Sequence, residues 1–313
     1  MADLGNITPF MDAASKVKGI KKVQVVLPIA RKSGNVTTLL VGDDLALRSS
    51  LTSPVGYDRE MIQLLHKHTE FIEDSGNIQF PYAKFCQEIS NIDKLSLIWG
   101  IYKSTYDTLG GERSFTCPKE ECKHEFKDII HLDDLIHEDT YVPWDKTMMI
   151  KSGEGEDATE QECEVPFHQY SHTVVIEYDN FVYEFAARLP SIQNNNIVLG
   201  RISIDVLQQN LEKIGSIFTR PQQMALLTKA VRLSAKDNSF APAETSNVDE
   251  ILASFQTSIP FVVAEEFFVK YGEEFDKYVP KYYKKMACPI CGNTFDHNVD
   301  LEIEFFRRSL GLI

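Results

Sequence analysis

Cys288-Pro289-Ile290-Cys291-Gly292-Asn293-Thr294-Phe295 is the stretch on which the reading of this chain turns. Two cysteines with two residues between them leave a tight turn. Gly292 permits the backbone twist just after it, and both thiolates can face one cation. A structural zinc site is closed and tetrahedral, so two ligands are too few. The missing pair lies far upstream, in Cys117-Pro118-Lys119-Glu120-Glu121-Cys122-Lys123-His124-Glu125-Phe126.

The two knuckles match beyond their cysteines. Each opens Cys-Pro, and each has a phenylalanine four residues after its second cysteine, Phe126 and Phe295. Each continues as an alternating run, Phe126, Ile130 and Leu132 against Phe295, Val299 and Leu301, followed by Asp133 and Glu302. Apolar positions of one parity share one face of a strand. The expected object is a two-knuckle zinc ribbon in which Cys117, Cys122, Cys288 and Cys291 hold one structural Zn2+. The first knuckle has four residues between its cysteines, which leaves His124 open as a substitute for Cys122. Two rival readings are thiols packed as small hydrophobes and disulfides. Chance rarely supplies two matched knuckles, and pairs this close in sequence are poor staples. Cys86 reads as core and Cys163 as a free thiol in an acidic loop.

Composition sets the class. At 313 residues, 43% hydrophobic and 25% charged, the chain reads as a soluble globular protein of one large or two modest domains. No apolar run reaches membrane-spanning length, so no membrane partner is expected. The first residues, Met1-Ala2-Asp3-Leu4, lack the basic and apolar regions of a leader, so folding in a reducing cytoplasm is expected. With 46 acidic and 32 basic residues the net charge is −14, which argues against direct nucleic-acid binding and permits basic partners.

Outward from the knuckles the pattern predicts an α+β chain: helical segments and β-hairpins around a zinc ribbon formed by distant parts of the sequence. Residues 1–20 read as a flexible arm. Residues 21–112 read as a β-hairpin, Lys21 to Leu27 and Val36 to Val41, followed by helices. Asp43 or Asp44 is expected to cap the first helix, Asp58 the second and Asn91 the long one, which Gly110-Gly111 ends. His66 and His68 are expected to favour a helix C-terminus. Residues 113–135 and 281–313 form the discontinuous zinc module, whose last strand ends Glu304-Phe305-Phe306. Residues 136–280 are an insertion. It carries an acidic loop at 151–158, a hairpin around Asp179-Asn180, and helices near 204–214, 222–233, 248–255 and from Pro260. Two adjacent phenylalanines on a strand cannot share one face, so one of Phe305 and Phe306 is expected in the core and the other under a helix or against a partner subunit.

No catalytic constellation emerges. There is no phosphate-binding glycine loop, nucleophile elbow or His-Glu-x-x-His. Four thiolates would leave zinc no open position for water, so no enzyme is expected.

The chain resembles the baseplate hub subunits of contractile-tailed, T-even-like bacteriophages. The resemblance is carried by Val23-Gln24-Val25-Val26-Leu27-Pro28, Val41-Gly42-Asp43-Asp44, and Ile92-Asp93-Lys94-Leu95 through Tyr106 into Phe115-Thr116-Cys117-Pro118. It continues through Arg188-Leu189-Pro190, Cys288-Pro289-Ile290-Cys291-Gly292 and the closing Phe305-Phe306. It implies a virion structural protein, made in the host bacterial cytoplasm and placed in the central hub of the tail baseplate. The chain would bind other hub, tail-tube or tape-measure proteins as part of a hetero-oligomeric symmetric assembly. An assembly factor absent from the mature particle, or a zinc-ribbon nucleic-acid binder, are the alternatives.

Overall fold

A computed structural model describes residues 21–50, 54–137, 140–152, 159–203, 205–206, 209–210 and 218–304. The N-terminal arm, the centre of the acidic loop, most of the helix expected at 204–214, and Phe305-Phe306 lie outside the described residues.

The first half begins with strands β1 (Lys22–Leu27) and β2 (Lys32–Thr37), paired antiparallel with Leu27 opposite Lys32. Val23, Val25 and Leu27 alternate inward, as their parity requires. Helices α1 (Val41–Ser50) and α2 (Pro54–His68) follow, then β3 (Thr69–Glu73) and β4 (Gly76–Ile78), completing a sheet in the order β1-β2-β3-β4. Helices α3 (Tyr82–Glu88) and α4 (Asn91–Thr105) then lead to the hairpin of β5 (Arg113–Thr116) and β6 (Glu125–Asp128), which holds the first knuckle. α4 lies against β1 and β2 so closely that a Cβ on Gly100 would come 2.5 Å from Val25 Cγ1.

A linking hairpin, β7 (Thr147–Ser152) and β8 (Thr159–Glu164), separates this half from a second with the same succession of elements. Strands β9 (His172–Tyr178) and β10 (Phe181–Ala187) precede α5 (Ile192–Leu199) and α6 (Arg220–Leu227). Then come β11 (Thr228–Ala235), β12 (Ala243–Thr245), α7 (Val248–Thr257) and α8 (Phe261–Phe275). The half closes with the second knuckle hairpin, β13 (Tyr282–Ala287) and β14 (Thr294–Val299). Its sheet order is β9-β10-β11-β12.

The correspondence reaches the register. Gly34 sits between Val25 and Phe71, and Phe185 sits between Val174 and Val231. Phe71 then faces Ile78, as Val231 faces Thr245. The chain therefore builds one arrangement twice. Two hydrophobic clusters result, and they interlock: Ile29 and Ile92 belong to the second cluster, while Ile192, Tyr282 and Met286 belong to the first.

Several expectations are corrected. Ser90, not Asn91, caps α4: its hydroxyl accepts from Asp93 N and the Asp93 carboxylate accepts from Ser90 N, a capping box. The fully buried Asp93 also accepts the amides of Ile29 (2.9 Å) and Ala30 (3.1 Å), fastening the β1–β2 turn to the helix start. α4 ends at Thr105, before Gly110-Gly111. Asp58 lies inside α2, where it accepts from Asn195 Nδ2 at 3.0 Å and faces Lys94. His68 is buried between Asp43 (2.9 Å) and Thr37 Oγ1 (2.9 Å), so it bridges elements rather than serving the helix end. His66 Nε2 reaches Phe80 O. The segment expected as helix over 222–233 is helix only to Leu227, because β-branched Thr228 and Val231 add to the β10 edge. The runs after each Phe stop early: Leu132 enters a 3-10 turn, and Leu301 opens a helical turn through Glu304.

Candidate metal centre

The two knuckles are built alike. In each, the amide of the first cysteine donates to the carbonyl two residues past the second: Cys117 N to His124 O and Cys288 N to Asn293 O, both at 2.9 Å. In each, the residue just after the second cysteine turns left-handed, Lys123 at φ 46° and Gly292 at φ 68°. The wider first loop accommodates its two extra residues by an added turn, in which Cys122 N and Lys123 N both donate to Lys119 O.

The hairpins bring the four sulfurs together. Cys117 Sγ lies 3.7 Å from Cys291 Sγ, and Cys122 Sγ lies 3.7 Å from Cys288 Sγ. All four atoms fall within 4.8 Å of one another. Each first cysteine thus meets the other knuckle's second, the pattern of a two-fold relation. These separations are far beyond a disulfide bond of about 2.05 Å. They match the edge of a sulfur tetrahedron, about 3.8 Å for metal–sulfur bonds of ~2.3 Å. His124 is not in the cluster; it contributes through its backbone, the carbonyl accepting from Cys117 N and the amide acting on the Cys122 thiol. Cys86 is buried in α3 and Cys163 lies on β8, so both stand apart.

The electrostatics also fit a cation. The backbone amide of Cys291 holds the Cys288 thiol down to about 7, against its burial. The His124 amide acts the same way on Cys122, but burial and the neighbouring thiols outweigh it and push that group up to about 12. Burial likewise raises Cys117. The Cys288 proton therefore leaves readily, and a bound metal would displace those of Cys117 and Cys122. Cys117 and Cys288 are buried, whereas Cys291 is exposed. Asn293 Nδ2 approaches Cys117 Sγ at 4.0 Å, a donor from one knuckle to a sulfur of the other.

No known protein family, curated protein or solved structure matches the chain.

Reciprocal contacts hold the hairpins together around the sulfurs. Arg113, four residues before Cys117, donates from both Nη atoms to Glu304 (2.9 and 2.5 Å). Lys284, four residues before Cys288, donates to Asp128 at 2.9 Å and to Ile129 O at 2.8 Å. Phe126 and Phe295, the matched phenylalanines, meet edge to face at 6.3 Å. Cys117, Cys122, Cys288 and Cys291 were legible from spacing alone; Arg113, Lys284 and Asn293 were not. The only signal for the two cations is their shared offset from the first cysteine.

Four close cysteines make a site that could bind a metal ion such as zinc. Among the described residues, no helix is long and apolar enough to cross a membrane.

Proposed function

We propose that this chain is a structural protein whose two similar halves are clasped by one zinc ion in a ribbon-like site. In this reading it works by binding other proteins, without turnover. The observation that carries the reading is the pair of 3.7 Å sulfur contacts linking residues 166 and 174 positions apart. Four thiolates favour zinc among the common divalent ions and fill its tetrahedron. The ion then acts as a fastener between distant segments. The setting comes from the resemblance: the central hub of a contractile phage tail baseplate, with the protein made in the host cytoplasm and incorporated into the virion. The acidic balance of the chain supports protein partners over nucleic acid.

The test is quantitative mass spectrometry of purified tails against a tail protein of known copy number. The expected result is a fixed, stoichiometric amount of this chain. Intact tails that lack it would overturn the structural role and favour an assembly factor that leaves the particle.

A further inference from the structure

α4 and α8 are both fifteen residues long and occupy the same place in the two halves, but among the described residues only α4 has its outer face covered. On α4 the outward Ile92 and Trp99 are buried, and Trp99 packs against His137 (4.6 Å), which stacks on Tyr282. On α8 the corresponding Val262 and Val269 are 48% and 62% exposed, and Phe261 beside them is 73% exposed. Val262 and Val269 are seven residues apart and so form one stripe. Carboxylates border it. Glu265 pairs with Arg220, and Glu266 pairs with Lys270 at 2.9 Å. These are surface pairs, which exchange partners at little cost.

The nine residues that follow Glu304 read Phe305-Phe306-Arg307-Arg308-Ser309-Leu310-Gly311-Leu312-Ile313. They lie outside the described residues. Their chemistry complements the bare face: two aromatic side chains for the apolar stripe and two guanidiniums for its carboxylates. The residues just before this segment lie against the first half, where Glu302 pairs with Lys94 and Glu304 with Arg113. The bare helix belongs to the second half.

We propose that residues 305–313 of one copy dock on the α8 face of a neighbouring copy. Phe305 and Phe306 cover Phe261, Val262 and Val269, and Arg307 and Arg308 engage Glu265 and Glu266. Donor and acceptor surfaces differ, so the contact is head-to-tail and builds rings or open chains. The proposal stands independently of the metal and of the tail setting.

Light scattering of the size-fractionated full chain tests it over a range of concentrations at low salt. The native chain is expected to form concentration-dependent multimers. Val269→Asp, and separately Arg307→Glu with Arg308→Glu, each weaken association about tenfold or more. Mixing the two variants restores one contact, because one keeps the segment and the other keeps the face. The expected mixture is a dimer that grows no further. A synthetic peptide of residues 305–313 disperses native multimers, and a scrambled peptide does not; this arm holds even if Val269→Asp fails to fold. A native chain that stays monomeric, multimers that persist in the arginine variant, or peptide and scrambled peptide acting alike would overturn the proposal.

Discussion

The two knuckles do the same work with different means. The second is narrow and places glycine at its left-handed position; the first is two residues wider and places Lys123 there. A non-glycine residue in that conformation carries about 1–2 kcal/mol of strain. The wide loop tolerates it because three amide hydrogen bonds, from Cys117, Cys122 and Lys123, hold the turn. The comparison teaches that the sulfur geometry is the fixed quantity and the loop is what varies around it.

The largest expected effect comes from breaking the clasp. Structural zinc sites contribute roughly 10–16 kcal/mol of apparent binding energy in small peptides. Cys288→Ser and Cys117→Ser should each abolish stoichiometric metal binding and remove any response of the melting temperature to chelator. Atomic emission and scanning calorimetry check this.

Next is the asymmetry of the two ion pairs. Glu304 is buried and Asp128 is half exposed. Arg113→Ala removes both guanidinium hydrogen bonds from the buried Glu304 carboxylate and should cost about 3 kcal/mol in chemical denaturation. Lys284→Ala should cost less than about 1 kcal/mol.

The left-handed positions come third. Gly292→Ala should destabilise by about 1 kcal/mol, and Lys123→Gly should stabilise by a few tenths to about 1 kcal/mol. Equal effects of opposite sign would mean the loops are interchangeable there.

The smallest effect separates the halves by pH. At the junction of α2 and β3 the first half buries His68, where the second has Leu227. Burial lowers the His68 pKa below its ordinary 6.5 although Asp43 opposes this. Below about pH 6.5 the unfolded chain takes a proton that folded His68 resists, so this contribution is lost as pH falls. Protection against hydrogen exchange in β2 and β3, taken relative to the intrinsic exchange rate at each pH, should fall at about pH 5.5 compared with about pH 7, and His68→Gln should reduce that change.

What the sequence could show follows from range. The knuckles are local, with cysteines, proline and phenylalanine at fixed offsets, and their hairpins β5–β6 and β13–β14 follow from strand parity. The β1–β2 and β9–β10 hairpins are legible for the same reason, although the first turn falls at Pro28–Arg31, earlier than expected. The repetition of the whole half is not legible. Gly34 faces Phe71 in one sheet, whereas Phe185 faces Val231 at the same register in the other. The phenylalanine has moved from one strand of the pair to the other, which erases the likeness at each position. β3 and β11 were missed because each follows a helix with no turn residue between, His68 to Thr69 and Leu227 to Thr228.

X-ray absorption on the purified chain, together with its metal content, tests the clasp most directly. The account predicts one zinc per chain surrounded by four sulfurs at about 2.3 Å. A folded chain without metal, nitrogen or oxygen in place of a sulfur, or a disulfide between Cys117 and Cys291 would contradict it.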